Sequence, residues 1–418
     1  MKIHLIGIGG IGVSALAQYY LGKGHEVSGS DLVASEITNF LKQKGVKIII
    51  GNFAKNIEKD FDLVIFSPAV KKDNVEFKTA KKLGIKTQSY PESLGDLTKE
   101  FYTIAVAGAH GKSTTTAMVA LILIKAGLDP TVIVGTKVKE FGNSNFRAGN
   151  SKLLVIEACE YDSSFLYYSP KIIVITNIDK EHLDYFKTFA NVKKAFEKFI
   201  MRLPKPGEAG YPGHLVKDLS IEHPDAKKIK SILKVPGEHN VLNALAALQV
   251  ARILVVPDNI TFEALAEFTG TWRRFEIKEG KAGDKKIIVV SDYAHHPNEI
   301  LATLTATREK YKDKKIWCVF QPHQHQRTYY LFNDFVKVFK EVVIDKIIIT
   351  DIYDVAGRET KKINKEVSSK KLVEKINKES IVYCATDKIE KLVKENVGLF
   401  DVLIIMGAGD IYKLADQF

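Results

Sequence analysis

Two glycine-rich turns in this chain could each hold an anion. The sharper one is Gly108-Ala109-His110-Gly111-Lys112-Ser113-Thr114, which follows the apolar run "TIAVA" and leads into an apolar, threonine-rich stretch. Strand, glycine turn, Lys-Ser and helix in that order build a phosphate cradle. Backbone N–H groups at the helix start face the phosphate, the lysine neutralises charge, and the serine hydroxyl is a hard oxygen ligand for Mg²⁺. The pattern is shorter than a full P-loop, because Val106 stands where a glycine five residues before Gly111 would complete it. The second turn, Gly7-Ile8-Gly9-Gly10-Ile11-Gly12, joins the first apolar run to an amphipathic stretch, and Ser30 and Asp31 end the next strand. Taken alone, that spacing suits a dinucleotide site or a tight turn that binds nothing.

Carboxylates accompany the sharper turn. "VIEACEYD" ends an apolar run with Glu157, followed by Glu160 and Asp162. "ITNIDKEHLDYF" ends the next with Asp179, Glu181, His182 and Asp184. Acidic groups at the carboxyl ends of neighbouring strands, beside a phosphate loop, are where α/β folds build sites. A lone histidine such as His182 is as often structural as functional.

The elements that must position these groups alternate along the whole chain. "KIHLIGI", "EVSGSD" and "DLVIFSPAV" read as strands of a first α/β unit, with a helix at "GVSALAQYYLGKG". A second unit has strands at "FYTIAVAG", "KLLVIEA" and "KIIVITNI", a Pro/Gly-rich loop at "PKPGEAGYPGHL", and a helix near "HNVLNALAALQVARIL". A third follows "TGTWRRFE", with strands at "KIIVVSDYA", "KIWCVFQ", "KIIITDIY" and "DVLIIMGAG". The expectation is an α/β protein of three consecutive domains, at 1–98, 99–269 and 270–418.

With 418 residues, 45% hydrophobic and 27% charged, the composition is that of a soluble globular protein. No apolar run reaches bilayer length, and the N-terminus has no basic leader, so no membrane association and a cytoplasmic location are expected. The three cysteines, widely spaced, form neither a disulfide framework nor a metal knuckle. The net charge of +11 is scattered as lysine pairs rather than gathered on one element, which argues against a nucleic-acid partner. Lysine outnumbers arginine 53 to 8, so the few arginines are informative: Arg273, Arg274 and Arg327 fall in motif stretches, where a guanidinium fork suits phosphate.

"GIGGIGVSALA", "AGAHGKSTTT", "EACEYDSSF", "TNIDKEHLDYF", "GEHNVLNALAA", "WRRFE", "DYAHHPNEI", "FQPHQHQRT" and "GAGDIY" occur in the order found in the Mur ligases, and the chain resembles that family over nearly its whole length. The resemblance implies a Rossmann-like N-terminal domain, a shortened P-loop ATP-binding central domain and a Rossmann-like C-terminal domain. It also implies a reaction: ATP-dependent joining of L-alanine to the carboxylate of UDP-N-acetylmuramate in cytoplasmic peptidoglycan synthesis. A carboxylate is a poor acyl donor; phosphorylation makes it an acyl phosphate that an amine can attack. Such an enzyme must hold two polyanions end to end, which explains two anion turns.

By the same resemblance, Gly9, Gly10, Ile11, Gly12, Ser30, Asp31, Ser67 and Pro68 hold the UDP-linked substrate. Gly108 to Thr114, with His239, Asn240, Asn243, Arg273, Arg274 and Asp292, hold ATP. Ser113, Glu157 and His182 are ligands of two Mg²⁺ ions, with Mn²⁺ a substitute. Tyr293, His295, His323 and Arg327 face the amino acid, and Lys112, Glu157, His182, His323 and Arg327 carry catalysis. A monomer or weak homodimer is expected.

Three departures stand out. Gln324 follows the proline-histidine of "QPHQ" where the family commonly has arginine, and Cys159 stands where it often has aspartate. Only about three dozen residues separate "RLPKPGEAGYPGHL" from "VPGEHN", a stretch where the alanine-adding ligases usually carry further strands. Two rival readings stay open: a recycling ligase that attaches a preformed murein peptide, which Tyr161 favours, and a UDP-sugar-binding homologue with reduced activity, which the shortening favours. A nicotinamide dehydrogenase, suggested by the first turn alone, leaves "AHGKSTTT" unexplained.

Overall fold

The computed structural model describes residues 1–205, 212–282, 285–354 and 366–418, and three sheets follow one another along the chain. The first consists of β1 (Lys2–Ile6), β2 (Glu26–Asp31), β3 (Lys47–Ile50), β4 (Leu63–Phe66) and β5 (Thr87–Ser89). Its strands lie in the order β3-β2-β1-β4-β5, all parallel, so the strand order reverses beside β1. That reversal opens a crevice at the carboxyl end of β1, where the first glycine turn sits.

The second sheet has β6 (Tyr102–Ala107), β7 (Thr131–Val138), β8 (Ser144–Arg147), β9 (Leu153–Glu157), β10 (Ile172–Ile175) and β11 (His214–Val216). The order is β11-β10-β6-β9-β7-β8, with only β7 and β8 antiparallel. β6 therefore delivers the cradle between the ends of β10 and β9. The expected loop at 204–215 needs correction at its end, since His214 and Leu215 belong to the short edge strand β11, which pairs with β10. Residues 206–211 of that loop lie outside the described residues. Beyond β11 the chain makes one short helix, Ala226–Ile232, before the long helix Glu238–Ile253.

The third sheet has β12 (Glu276–Ala282), β13 (Lys285–Asp292), β14 (Ile316–Phe320), β15 (Lys346–Ile349), β16 (Ile381–Tyr383) and β17 (Val402–Met406). Its order is β12-β13-β17-β14-β15-β16, parallel except for β12 against β13. Alternation buries both faces: Ile316, Cys318 and Phe320 enter one core, Trp317 and Val319 the other. Because β13, β17 and β14 are neighbours, the segments after Asp292, Met406 and Phe320 emerge together at one sheet end.

The chain forms two compact units. The first holds Met1–Lys180, Ala190–Ser220 and Asn243–Leu265; the second holds Glu181–Phe189, Ile221–Leu242 and Ala266–Phe418. Among the described residues, no helix is long and apolar enough to cross a membrane.

Candidate functional site

In the first unit, β6 runs into Gly108 at φ 142°, and Gly111, at φ 82°, starts the helix Lys112–Lys125 without a side-chain cap. Both φ values favour glycine, and the space demands it too. A Cβ on Gly108 would lie 2.0 Å from Thr176 Oγ1, and one on Gly111 would lie 2.3 Å from Asn243 Oδ1. The loop is braced by the end of β10. Ala109 N–H donates to the Asn177 carbonyl (3.1 Å), and His110 N–H donates to Asn177 Oδ1 (2.9 Å). The His110 ring lies 3.1 Å from Asp179.

Lys112 Nζ donates to the Gly108 carbonyl (2.5 Å) and the Ala109 carbonyl (3.0 Å) and pairs with Glu160 Oε2 at 3.1 Å. Burial pulls its pKa down, but Glu160, helped by Glu157, more than reverses this and holds the ammonium charged. Ser113 Oγ donates to Glu157 Oε2 at 2.8 Å. The same oxygen accepts from Gly135 N–H in β7, also at 2.8 Å. Thr114 is buried in the first turn of the helix.

The first glycine turn belongs to the same unit. Ser30's carbonyl accepts from Gly7 N–H (2.8 Å) and Ile8 N–H (3.0 Å), while its hydroxyl donates to buried Glu76. Asp31 Oδ2 accepts from Gly9 N–H at 2.8 Å. Gly10 caps the helix Ile11–Gly22 through its backbone alone. Ser67 packs against Gly7, where a Cβ would come within 2.9 Å of its own, and Pro68 beside it is exposed.

Asn145 ties this turn to the second sheet, and Tyr90 closes over it. Asn145 of β8 donates to the Ile11 carbonyl and to Ser14 Oγ (3.1 Å). Tyr90 packs so tightly on Gly12 that a Cβ there would lie 2.6 Å from its ring. Burial, then Glu157 and Cys159, push its phenol pKa well up.

The second unit gathers the other motif residues. Asp292 ends β13 and accepts from the backbone N–H of Phe275 and of Ala294, both at 2.7 Å. Burial raises its pKa to about 6, against the pull of Arg274 and the two amides. Tyr293 lies between two guanidinium groups, Arg273 and Arg274, each 4.9 Å from its ring centre. His295 Nδ1 lies 3.0 Å from the Tyr293 carbonyl and 3.2 Å from Glu299. Burial, then Arg327, lower its pKa to about 4, so it is neutral near pH 7.

His323 stacks on Tyr353, the ring planes 8° apart. Arg327 Nη1 lies 3.2 Å from His323 Nδ1, and Nη2 pairs with Glu181 at 3.3 Å. His182, at φ 56°, opens the short helix Leu183–Phe186, which packs on the helix His325–Tyr330. Gln324, at φ 70°, starts the latter and donates its N–H to the Tyr353 carbonyl. His239 and Asn240 fold onto Gly237 and Pro236 in this unit, whereas Asn243 of the same helix reaches Gly111 in the first. The side chain of Asp184 lies outside the described residues.

The two neighbouring arginines part company. Arg273, 4% exposed, donates to the carbonyls of Gly407 and Gly409 inside a box of Trp272, Tyr293 and Tyr412. Arg274 stays partly exposed and lies 3.7 Å from Glu299. The two neighbouring arginines are thus one buried clamp and one partly exposed cation. Sequence reasoning also missed Gly135 and Tyr90, and it noted Glu181 without assigning it a role. A glycine interrupting the apolar run "TVIVGTKV" was the one available signal for the first.

Three successive α/β sheets, with a glycine turn on the first and a lysine-bearing phosphate cradle on the second, define the class of multidomain α/β proteins built to hold phosphate-bearing ligands. Three family models match in order: Mur ligase family, catalytic domain, over residues 2–102; Mur ligase middle domain, over 106–216; and Mur ligase, glutamate ligase domain, over 273–409. The UDP-N-acetylmuramate–L-alanine ligase of Acetivibrio thermocellus is 40% identical over 455 aligned positions, spanning 100% of this chain and 95% of that one. That of Clostridium botulinum strain Hall is 40% identical, spanning 100% and 97%. The crystal structure of the UDP-N-acetylmuramate–alanine ligase of Thermotoga maritima superimposes with a TM-score of 0.79 at 30% identity, covering 100% of this chain and 98% of that one. A murein peptide ligase from Psychrobacter arcticus shares the fold, with a TM-score of 0.71 at 22% identity. The chain belongs to the Mur ligase family.

Proposed function

We propose that this protein is an ATP-dependent ligase that joins L-alanine to the carboxylate of UDP-N-acetylmuramate in peptidoglycan synthesis. The observation that carries the reading is the 40% identity with L-alanine ligases over the full length of the chain. In the first step a carboxylate oxygen of the sugar acid attacks the γ-phosphorus of ATP, and ADP leaves. The amine of L-alanine then attacks the acyl phosphate carbon, a tetrahedral intermediate forms, inorganic phosphate departs, and the nitrogen loses a proton. The domains divide at 1–98 for the UDP-linked substrate, 99–269 for ATP and 270–418 for the amino acid.

Lys112 and the backbone N–H groups of Gly111 to Thr114 neutralise and orient the phosphates. Asn243 holds the loop from behind. Of the two arginines, Arg274 is the one with a guanidinium to offer ATP. Tyr293, His295, His323 and Arg327 form the amino-acid side. The donor set at Ser113 and Glu157, a hydroxyl and a carboxylate oxygen 2.8 Å apart, fits Mg²⁺, which prefers hard oxygen ligands. His182 is the further ligand proposed. When bound, the metal supplies Lewis-acid neutralisation of charge on the transferring phosphoryl group. The 455 aligned positions exceed the 418 residues of this chain, so the relative carries residues that are missing here. We place that shortening in the central domain after β11.

The test is a panel: ATP and UDP-N-acetylmuramate with L-alanine, glycine, L-serine or the murein tripeptide, followed by phosphate release and product mass. Alanine-dependent release with a mass gain of one alanyl residue is expected. Release only with the tripeptide, or with no amine at all, would overturn the reading.

A further inference from the structure

Arg327 is engaged by a carboxylate of the protein's own chain. Its Nη2 lies 3.3 Å from Glu181 Oε2, and the two side chains are 10% and 6% exposed. Glu181 opens the segment Glu181–Phe189, which belongs to the second unit although the chain on both sides of it belongs to the first. Glu181 lies in no strand, and His296 Nε2 is a further neighbour, 4.0 Å from Oε1.

A guanidinium holding a single carboxylate in a secluded site has the chemistry that an amino acid's α-carboxylate requires. We propose that Glu181 is a positioning residue that occupies Arg327 as an internal stand-in for the carboxylate of the incoming amino acid, so that the acceptor binds by displacing it. This rests on the reading above that Arg327 lies on the amino-acid side. Exchanging one carboxylate for another keeps the charge around Arg327 constant, so the buried cation is never left unpaired during the exchange. Arg327 also keeps its place without Glu181, because its Nη1 is held by His323, 3.2 Å from Nδ1 and 3.3 Å from the carbonyl. A stand-in and a scaffold therefore make opposite predictions. Removing a scaffold weakens acceptor binding, whereas removing a competitor strengthens it.

The experiment is steady-state kinetics on the full-length protein with ATP and UDP-N-acetylmuramate saturating and the amine varied. Glu181→Gln, which keeps the shape and loses the charge, lowers the KM for L-alanine roughly tenfold, the scale of one charge-assisted hydrogen bond. L-alaninamide, which has no carboxylate to compete with, shows the same KM in wild type and variant. Glu181→Asp draws the charge back by one methylene, gives an intermediate KM, and decides the matter should Glu181→Gln melt early. An alanine KM that is unchanged or raised, or an alaninamide KM that falls by the same factor, overturns the stand-in. In that outcome wild-type turnover with alanine still stands, so the ligase reading survives. Absence of alanine-dependent turnover in the wild type overturns both.

Discussion

The phosphate cradle of the first unit and the arginine–histidine cluster of the second both present cations already held by the protein's own acids, Lys112 by Glu160 and Arg327 by Glu181. They are built in opposite ways. The cradle is seven consecutive residues, four in the turn after β6 and three in the first turn of the helix Lys112–Lys125, and its donors are largely backbone, fixed once those two elements form. Its neighbours only brace it. The cluster has no such local frame. It takes Glu181, Arg274, Tyr293, His295, His323 and Arg327 from separate stretches and depends on strand order to bring them together. A site made of backbone tolerates change around it, whereas a site assembled from side chains inherits every weakness of its scaffold.

The harshest test of that contrast is Lys112→Ala. It removes the one side-chain cation of the cradle, and ATP-dependent phosphate release falls by roughly 10³-fold, measured with saturating UDP-N-acetylmuramate and alanine. Melting temperature falls as well, because the buried Glu160 carboxylate loses its cation, but the protein still folds, since backbone and glycines shape the loop. A variant that unfolds instead would mean that the cradle leans on the Lys112–Glu160 pair for its structure.

Arg273 and Arg274 probe the other region. Arg273→Ala leaves the carbonyls of Gly407 and Gly409 without their donor and empties an aromatic box, at a cost of about 3–5 kcal/mol in urea unfolding. Arg274→Ala costs under about 1 kcal/mol but raises the KM for ATP. Equal stability losses for the two would erase the distinction between clamp and accessible cation.

Acid sensitivity separates the units further. His4 of β1 is fully buried, 2.9 Å from Ser28 Oγ and stacked on Phe61; burial, with Lys47 adding, lowers its pKa from 6.5 to about 4. Between those values the unfolded chain takes up a proton that the folded one refuses, so stability is lost as pH falls through the window, by on the order of 3 kcal/mol. His295 in the second unit acts in the same direction, with its pKa also lowered to about 4. Asp292 opposes it: its folded pKa of about 6 lies above 3.8, so its contribution declines as pH rises between the two. The opposing slopes largely cancel in the second unit, and the acid limb falls to His4. In His4→Phe, unfolding free energies at pH 4.5 and 6.5 should converge. A wild-type slope that survives this change would move the sensitivity elsewhere.

The same contrast explains what could be read from sequence. The strands around both glycine turns and the cradle were legible, because periodicity and adjacency are local properties. Composition alone makes 204–215 a loop, which hides the start of β11, and the sequence reading does not single out β7, although β7 supplies the Gly135 amide to Glu157. The three-residue edge strand β11 takes its conformation from pairing with β10 rather than from its own residues, whereas the eight-residue β7 has a mostly apolar run that the sequence does display. Arg273 and Arg274 are neighbours with the same side chain, and only the positions of Gly407, Gly409 and Glu299 give them different environments. The members of the second cluster could be named by family resemblance, but their mutual geometry, and the engagement of Arg327 by Glu181, had no counterpart in the sequence.

The smallest effect sharpens the parallel between the two acids. Glu160→Gln neutralises the carboxylate on Lys112 much as Glu181→Gln does on Arg327, yet the KM for ATP should shift by less than about threefold. The reason lies in the ligands. A triphosphate brings several negative charges, backbone N–H donors and the helix start to its binding, so one internal carboxylate is a minor competitor. Lys112 also keeps the Gly108 and Ala109 carbonyls at 2.5 and 3.0 Å, so its position survives the change. An amino acid brings a single carboxylate of the same charge and shape as the one it displaces, so there the competitor counts. Comparable KM changes for ATP in Glu160→Gln and for alanine in Glu181→Gln would show that ligand charge does not set the balance, and would make the two acids equivalent supports for their cations.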